Sequence, residues 1–462
     1  MMIRSKITGY IVLIAIVLEA CSLITADVPL DEVAGRQVFE NADSAIAAVT
    51  GIYEGIASNT NIFCGGASVY AGIYADELIY TGLSVPVVEF SNSTLTSGNT
   101  TLESIFWKNS YYFIYRTNAC IEGLIASQAI GKALRDQLVG EAKFLRAMLY
   151  FHLIQYFGDV PLVTITDQSF NEHMPRTPLV VIKAAILTDL DDAVELLSPV
   201  YPTHERARVN KWCAKALLAR FYLYEKNWAQ AAAEATAVIN SGLYQLVPAD
   251  SVFLISSREA LLQIQPVIKR YQTLDGQLFI PSGNIRPNFA LTPALLNAFE
   301  TGDKRKTSWV ASKIVNGISY SYPFKYKKRP ESATDVKLSE YTVLLRLAEL
   351  YLIRAECRTR LGELSAAISD VDAIRQRAGL PLISNTHAGI NADDLLATIL
   401  HERRTEYFAE LGHRWMDLKR TGQTDSVLQS LKQGWKNSAA LWPIPATQIS
   451  LNPSLVQNPG YY

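Results

Sequence analysis

The run HERRTEYFAELGHRWMDLKRTG, residues 401–422, puts His401 and His413 among Glu402, Glu406, Glu410, Asp417 and several arginines. These side-chain types move protons. A histidine or carboxylate can act as general acid or base, and two carboxylates across a bond are the equipment of a glycoside hydrolase. The spacing argues against that use. Glu402 and Glu406 fall one helical turn apart, as do Arg403 and Tyr407, while Tyr407, Phe408, Leu411, Trp415 and Leu418 are apolar or half-apolar. Charged groups interleaved with apolar ones on a packed helix form ion pairs and caps. Gly412 breaks the helix, which leaves His413 and Arg414 placed to bond free backbone carbonyls. The stretch therefore reads as framework, with no catalytic residue expected in it.

Little else in the chain offers chemistry. There is no GxSxG, HExxH, Walker or dinucleotide-binding pattern. Asp76-Glu77 is the adjacent carboxylate pair outside an obvious helix face, and it reads as capping and surface solvation. Cys64, Cys120, Cys213 and Cys357 lie far apart without CxxC spacing, so no zinc site is expected. The last three sit in apolar helical patterns and read as small buried hydrophobes. No metal and no cofactor is expected.

The elements that must position any site are helical. Ile46, Val49, Tyr53 and Ile56 recur at helical spacing after Asn41 and Asp43, either of which can cap. A second helix runs from about Leu102. A long one, KALRDQLVGEAKFLRAMLYFHLIQYF, ends at Gly158 with Pro161 beyond. Residues 210–241 form two helices joined near Asn227, and 341–379 repeat the arrangement. Ala219 and Ala231 have the same spacing as Ala355 and Ala367, at the points where paired helices would cross. Helix 136–157 with helix 178–197 makes a third hairpin. The fold class is mainly α: tetratricopeptide-like stacked hairpins decorated with long loops and a few short strands. Residues 242–335 are an irregular insert, with a strand suggested at 318–328. Residues 81–101 and the last twenty read as loops.

At 462 residues, with 43 Lys and Arg against 44 Asp and Glu, the chain can build large cores but lacks the basic excess of a nucleic-acid binder. Its first residues, MMIRSKITGYIVLIAIVLEACS, give a charged start and an apolar run too short to span a bilayer. Residues 1–20 read as a secretory signal. Leu18-Glu19-Ala20-Cys21 matches a lipoprotein processing box except at Glu19, so Cys21 is the expected lipidation site. Residues 21–35 form a tether and 36–462 a single helical domain.

Four long motifs then carry a resemblance: GEAKFLRAMLYFHLIQYFGDVPLV, LLRLAELYLIRAECRTRLGELSAAISDVDAIRQRAGL, ERRTEYFAELGHRWMDLKRTG and LWPIPATQISLNPSLVQNPGY. Together, and in order, they resemble the SusD/RagB family of Bacteroidetes. The resemblance implies an outer-membrane lipoprotein on the cell exterior that captures glycans, or in some members peptides, without turning them over. It implies a SusC-like TonB-dependent transporter as partner. On this reading residues 401–422 are the family's framework helix. A periplasmic tetratricopeptide-like scaffold and a glycoside hydrolase are the other classes considered.

The family's ligand residues lie in variable loops, so the resemblance transfers none of them. Sugar recognition needs an aromatic face flanked by groups that bond hydroxyls. Tyr80, Phe90 and Asn92 meet that need in one loop, and Tyr271, Phe279, Asn284, Arg286 and Trp309 in the insert. Trp309 leads, because its neighbours in DKRKTSWVASK are polar. The basic run Lys325 to Arg329 reads as a solvated strand edge.

Overall fold

The structure, a computed structural model, describes residues 37–267, 272–329 and 337–461. Helix α1 (Ala42–Ser58) starts where the Asn41 side chain accepts the Ser44 amide, closing one of the free N–H groups of the first turn. Strand β1 (Leu78–Tyr80) and helix α2 (Val85–Asn92) follow. The expectation of a loop over 81–101 is thus corrected: Pro86 sits in the first turn of α2, where its missing N–H costs nothing. A π-helical turn, Leu102–Lys108, leads into α3 (Asn109–Ala126). Helix α4 (Lys132–Phe157) ends at Gly158, whose φ of 71° suits glycine.

Helix α4 pairs with α5 (Leu179–Leu196), and α6 (Lys211–Tyr224) pairs with α7 (Trp228–Ile239), which Asn227 caps. Ala219 and Ala231 are fully buried where α6 and α7 approach. After strand β2 (Ala260–Ile264) come the short helix α8 (Leu274–Phe279), strand β3 (Phe289–Leu291) and helix α9 (Lys304–Trp309). Strands β4 (Val310–Val315) and β5 (Ile318–Pro323) form a hairpin whose turn, Asn316-Gly317, has both φ angles positive.

Strand β6 (Thr342–Arg346) runs directly into α10 (Leu347–Arg360), which pairs with α11 (Leu364–Ala378). The sequence pattern places residues 342–346 in the helix; instead they pair antiparallel with β2. Both strands are buried on both faces, so the apolar run alternates on neither and cannot be told from a helix by period. Ala355 and Ala367 are buried at the α10–α11 crossing as Ala219 and Ala231 are at theirs. Helices α12 (Ala392–Tyr407) and α13 (His413–Arg420) complete the frame. The hairpins stack in sequence, α5 on α6, α7 on α10 and α10 on α12. The chain has the mainly helical, tetratricopeptide-like fold expected of it.

Candidate functional site

Within residues 401–422, Glu402, Glu406, Glu410, His413 and Asp417 are buried, and His401 is half-buried. Glu402 accepts Arg305 at 2.7 Å and Arg375 at 2.6 Å, and Glu406 accepts Arg346 and Arg377. Arg305 also chelates Asp303, and Glu410 holds Arg346 and Lys325. Burial alone would raise the Glu406 carboxyl, but Arg377, Arg346 and Arg305 hold it well below the ordinary range. Glu402 and Glu406 have no exposed surface and their oxygens are taken up by guanidinium groups. A substrate has no approach to them, and the pairs join the insert to α12.

Asp76-Glu77 is buried as well, which corrects the expectation of a solvated pair. Asp76 binds Arg414 Nε and Arg404 Nη2, each at 2.7 Å. Arg414 therefore serves a carboxylate and not the free carbonyls expected of it. Glu77 accepts the Ala409 amide at 3.2 Å. Burial, with Asp76 alongside, pushes the Glu77 carboxyl up to about 8. The pair clamps the turn between α12 and α13, where Ala409, Leu411 and Gly412 all have positive φ. For Ala409 and Leu411 that conformation is strained, so the turn needs an external hold.

A cavity of about 310 Å³ lies elsewhere. Its rim is the end of α1 and the loop after it, with Ser58, Asn59 and Thr60. Gln272, Thr273, Leu274 and Gln277 of the α8 segment, with Ile264, Pro266, Thr342 and Cys64, complete the lining among the described residues. Each wall is held by local hydrogen bonds. The buried Asn61 side chain donates to Ile56 O and Asn59 O and accepts the Phe63 and Cys64 amides, which fixes the loop. Gln272, at φ 51°, donates to Lys337 O and accepts the Ser339 amide. Thr273 caps α8 by accepting the Gly276 amide at 3.0 Å. The described lining mixes amide and hydroxyl groups with apolar side chains, the usual composition of a small-ligand site.

The residues selected from sequence are spread more widely. Trp309 is fully buried at the end of α9, where its indole N–H donates to Ala249 O at 2.6 Å. Its polar neighbours mislead: Arg305 is itself buried, so the segment is no solvent-facing loop. Phe90 is fully buried against Tyr70 and Trp442, and Phe279 is buried edge-on to Phe289. None of these three rings offers a face to a ligand. Tyr80 is half-buried and packs on Phe289 with centroids 5.5 Å apart. The β1–β3 pairing thus brings Tyr80 and Phe279 into one packed cluster around Phe289. Asn92 is exposed at the end of α2, and Asn284 and Arg286 are exposed on the loop before β3. Tyr271 and Cys21 lie outside the described residues, although Gln272, the chain neighbour of Tyr271, lines the cleft. Lys325 is buried against Glu410 rather than lying on a solvated edge. Cys64, Cys120, Cys213 and Cys357 are buried free thiols. Sequence reasoning missed Asn59, Thr60 and Gln277. The one local signal was the Asn- and Gly-rich break SNTNIFCGG after the first helix.

A stack of helical hairpins carrying a loop-built cleft, with the carboxylates of residues 401–422 locked in ion pairs, defines a scaffold for binding. Comparison with known proteins narrows this. The family described as the SusD family matches residues 298–461. One described as "Starch-binding associating with outer membrane" matches 74–223. SusD-like protein P25 of Formosa agariphila is 23% identical, over 99% of this chain and 100% of its own. A SusD-like protein from Bacteroides fragilis superposes with a TM-score of 0.79 at 21% identity, covering 94% of this chain and 100% of that one. A laminarin-binding SusD-like protein superposes with a TM-score of 0.78 at 24% identity, covering 91% and 100%. The chain belongs to the SusD/RagB family, a family of binding proteins.

Proposed function

We propose that the protein is a cell-surface binding lipoprotein that captures oligosaccharides and passes them to a SusC-like TonB-dependent outer-membrane transporter. The cleft beside α1 and α8 carries this reading. Its amides and hydroxyls match sugar hydroxyls, and its apolar lining residues suit the C–H faces of a ring. The starch-binding description of the family and the laminarin-binding relative support glycan as ligand. Asn284, Arg286 and Asn92 are exposed and Tyr80 is half-buried, which leaves them open to contacts with a longer glycan chain. The N-terminal pattern ending at Cys21 supports a lipid anchor, and no helix among the described residues is long and apolar enough to cross a membrane.

The test is an oligosaccharide array run beside a peptide panel on the purified full chain in detergent. Selective retention of oligosaccharides without turnover is expected. Binding confined to peptides would place the protein with the peptide-capturing members of its family. Release of shortened glycan by the protein alone would make it a hydrolase.

A further inference from the structure

We propose that Tyr112 and Tyr115, neighbours on the open face of α3, form an aromatic platform that stacks on sugar residues of a chain extending out of the cleft. The proposal rests on the glycan-capture reading above and adds a second subsite, which takes the pyranose rings of an oligosaccharide longer than the cleft holds.

Among the described residues three aromatic side chains are more than half exposed, and two of them are these neighbours, Tyr112 at 54% and Tyr115 at 52%. Single exposed rings are ordinary on a protein surface. A pair three residues apart on one helix is different, because the Cβ atoms lie about 5–6 Å apart and the side chains share a face. The pair is also tied to the cleft. Arg116 Nη1 donates to Gly51 O at 2.9 Å, and Asn109 Nδ2 donates to Thr60 O at 3.3 Å. Helices α1 and α3 therefore run antiparallel, with the start of α3 against the cleft rim at Thr60. Tyr112 follows Asn109 by about 5 Å along the helix axis, and Tyr115 follows Tyr112 by as much again.

Tyr112 is held from one side. Its ring meets the buried Phe113 ring edge-on with centroids 5.3 Å apart, and the Arg116 guanidinium carbon lies 5.8 Å from its centroid. Arg116 fits there because Gly51 has no side chain: a Cβ on Gly51 would come within 2.9 Å of Nη2. A ring fixed before binding loses little freedom on meeting a ligand. Its open surface suits the C–H groups of a pyranose, and its hydroxyl can donate to or accept from a sugar hydroxyl. Stacking on a flat ring does not depend on which hydroxyls the cleft binds. The platform therefore adds affinity with chain length.

The experiment is calorimetry on the full chain in detergent with laminari-, malto-, cello-, xylo- and galacturono-oligosaccharides, each as disaccharide and hexasaccharide. In the series that binds best, the hexasaccharide is expected to bind more tightly than the disaccharide. Tyr112→Ala should weaken the hexasaccharide about five- to tenfold, the worth of one stacked ring, and the disaccharide less than about twofold. Tyr112→Phe keeps the ring and should hold the hexasaccharide within about twofold of wild type. Tyr115→Ala should show the same dependence on length, and it decides the matter if Tyr112→Ala does not fold. Hexasaccharide affinity unchanged in both alanine variants would overturn the platform while leaving glycan capture intact. Equal weakening of disaccharide and hexasaccharide would overturn it too, since the loss would then lie in the cleft. Failure of every series, here and on the array, would sink the glycan-capture reading, and this proposal with it.

Discussion

Arg305 Nη1 donates to Glu402 Oε2 at 2.7 Å with neither side chain more than 1% exposed. The bond joins α9, within the irregular insert, to α12, the helix whose residue types could move protons but whose spacing reads as framework. Arg375 shares the same carboxylate. Glu402→Gln would leave two buried guanidinium groups short of their counter-charge. Breaking one partner of a buried pair costs about 3–5 kcal/mol, because the remaining charge stays desolvated. Urea denaturation should show a loss of that order, with ligand affinity of the folded fraction unchanged. A variant with the wild-type midpoint and lost binding would return residues 401–422 to the functional site.

Trp309→Ala tests the same boundary from the insert side. The ring packs against Phe253 and Phe408, and the Lys325 ammonium sits over it with Nζ 4.6 Å from the ring centroid. Removing it opens a cavity and orphans the Ala249 carbonyl. Such substitutions cost about 3–5 kcal/mol. A large drop in Tm with unchanged glycan affinity is the expected pair of results in a thermal scan and a titration.

What the sequence made legible was local. Asn41, Asn227 and Gly158 each mark a helix end through chemistry confined to one turn, and each does so in the structure. The crossing alanines were legible for the same reason, since their spacing is a property of a single hairpin. What stayed hidden depends on partners far along the chain. Residues 342–346 form a strand because β2 lies beside them, and nothing in their own order says so. Arg305 reads as solvated among lysines until Glu402 is placed against it. The cleft is assembled from the end of α1 with the loop after it, the end of β2, the start of α8 and Thr342, four segments with no pattern in common. Loop aromatics are the natural choice for a glycan site, yet Phe90, Phe279 and Trp309 turn out to be buried residues of the short helices α2, α8 and α9.

The anchor can be tested apart from the cleft. Arg4 and Lys6, the apolar run to Leu18 and the Leu18-Glu19-Ala20-Cys21 box motivate lipidation at Cys21. Cys21→Ala should move the protein from the outer-membrane fraction to the soluble fraction, with thermal stability unchanged. The comparison belongs in a strain lacking the transporter, so that docking does not mimic anchoring. Retention of the variant in membranes there would mean that some other feature holds it.

Glu77 gives the frame a pH dependence with a definite sign. Burial raises its carboxyl from an ordinary 4.5 to about 8, and the neighbouring Asp76 adds to the rise. Below about 4.5 the group is protonated in both folded and unfolded chains. As pH rises from there toward 8, the unfolded chain releases the proton and the folded one keeps it, so stability falls across that window. Asp76 works the other way: burial opposes its ionisation, but Arg414 and Arg404 bring it below the usual carboxylate value. Its contribution is present above that value and is lost only in acid. Glu77→Gln removes the falling limb while keeping an acceptor for the Ala409 amide. The variant should therefore gain on the wild type as pH rises. The gain reaches roughly 3–5 kcal/mol at pH 8, because each tenfold change in proton affinity is worth about 1.4 kcal/mol. Urea midpoints at pH 5, 6.5 and 8 measure it. A constant difference between the two proteins across that range would show that Glu77 is ionised in the fold and that the turn at Ala409 is held by a charge.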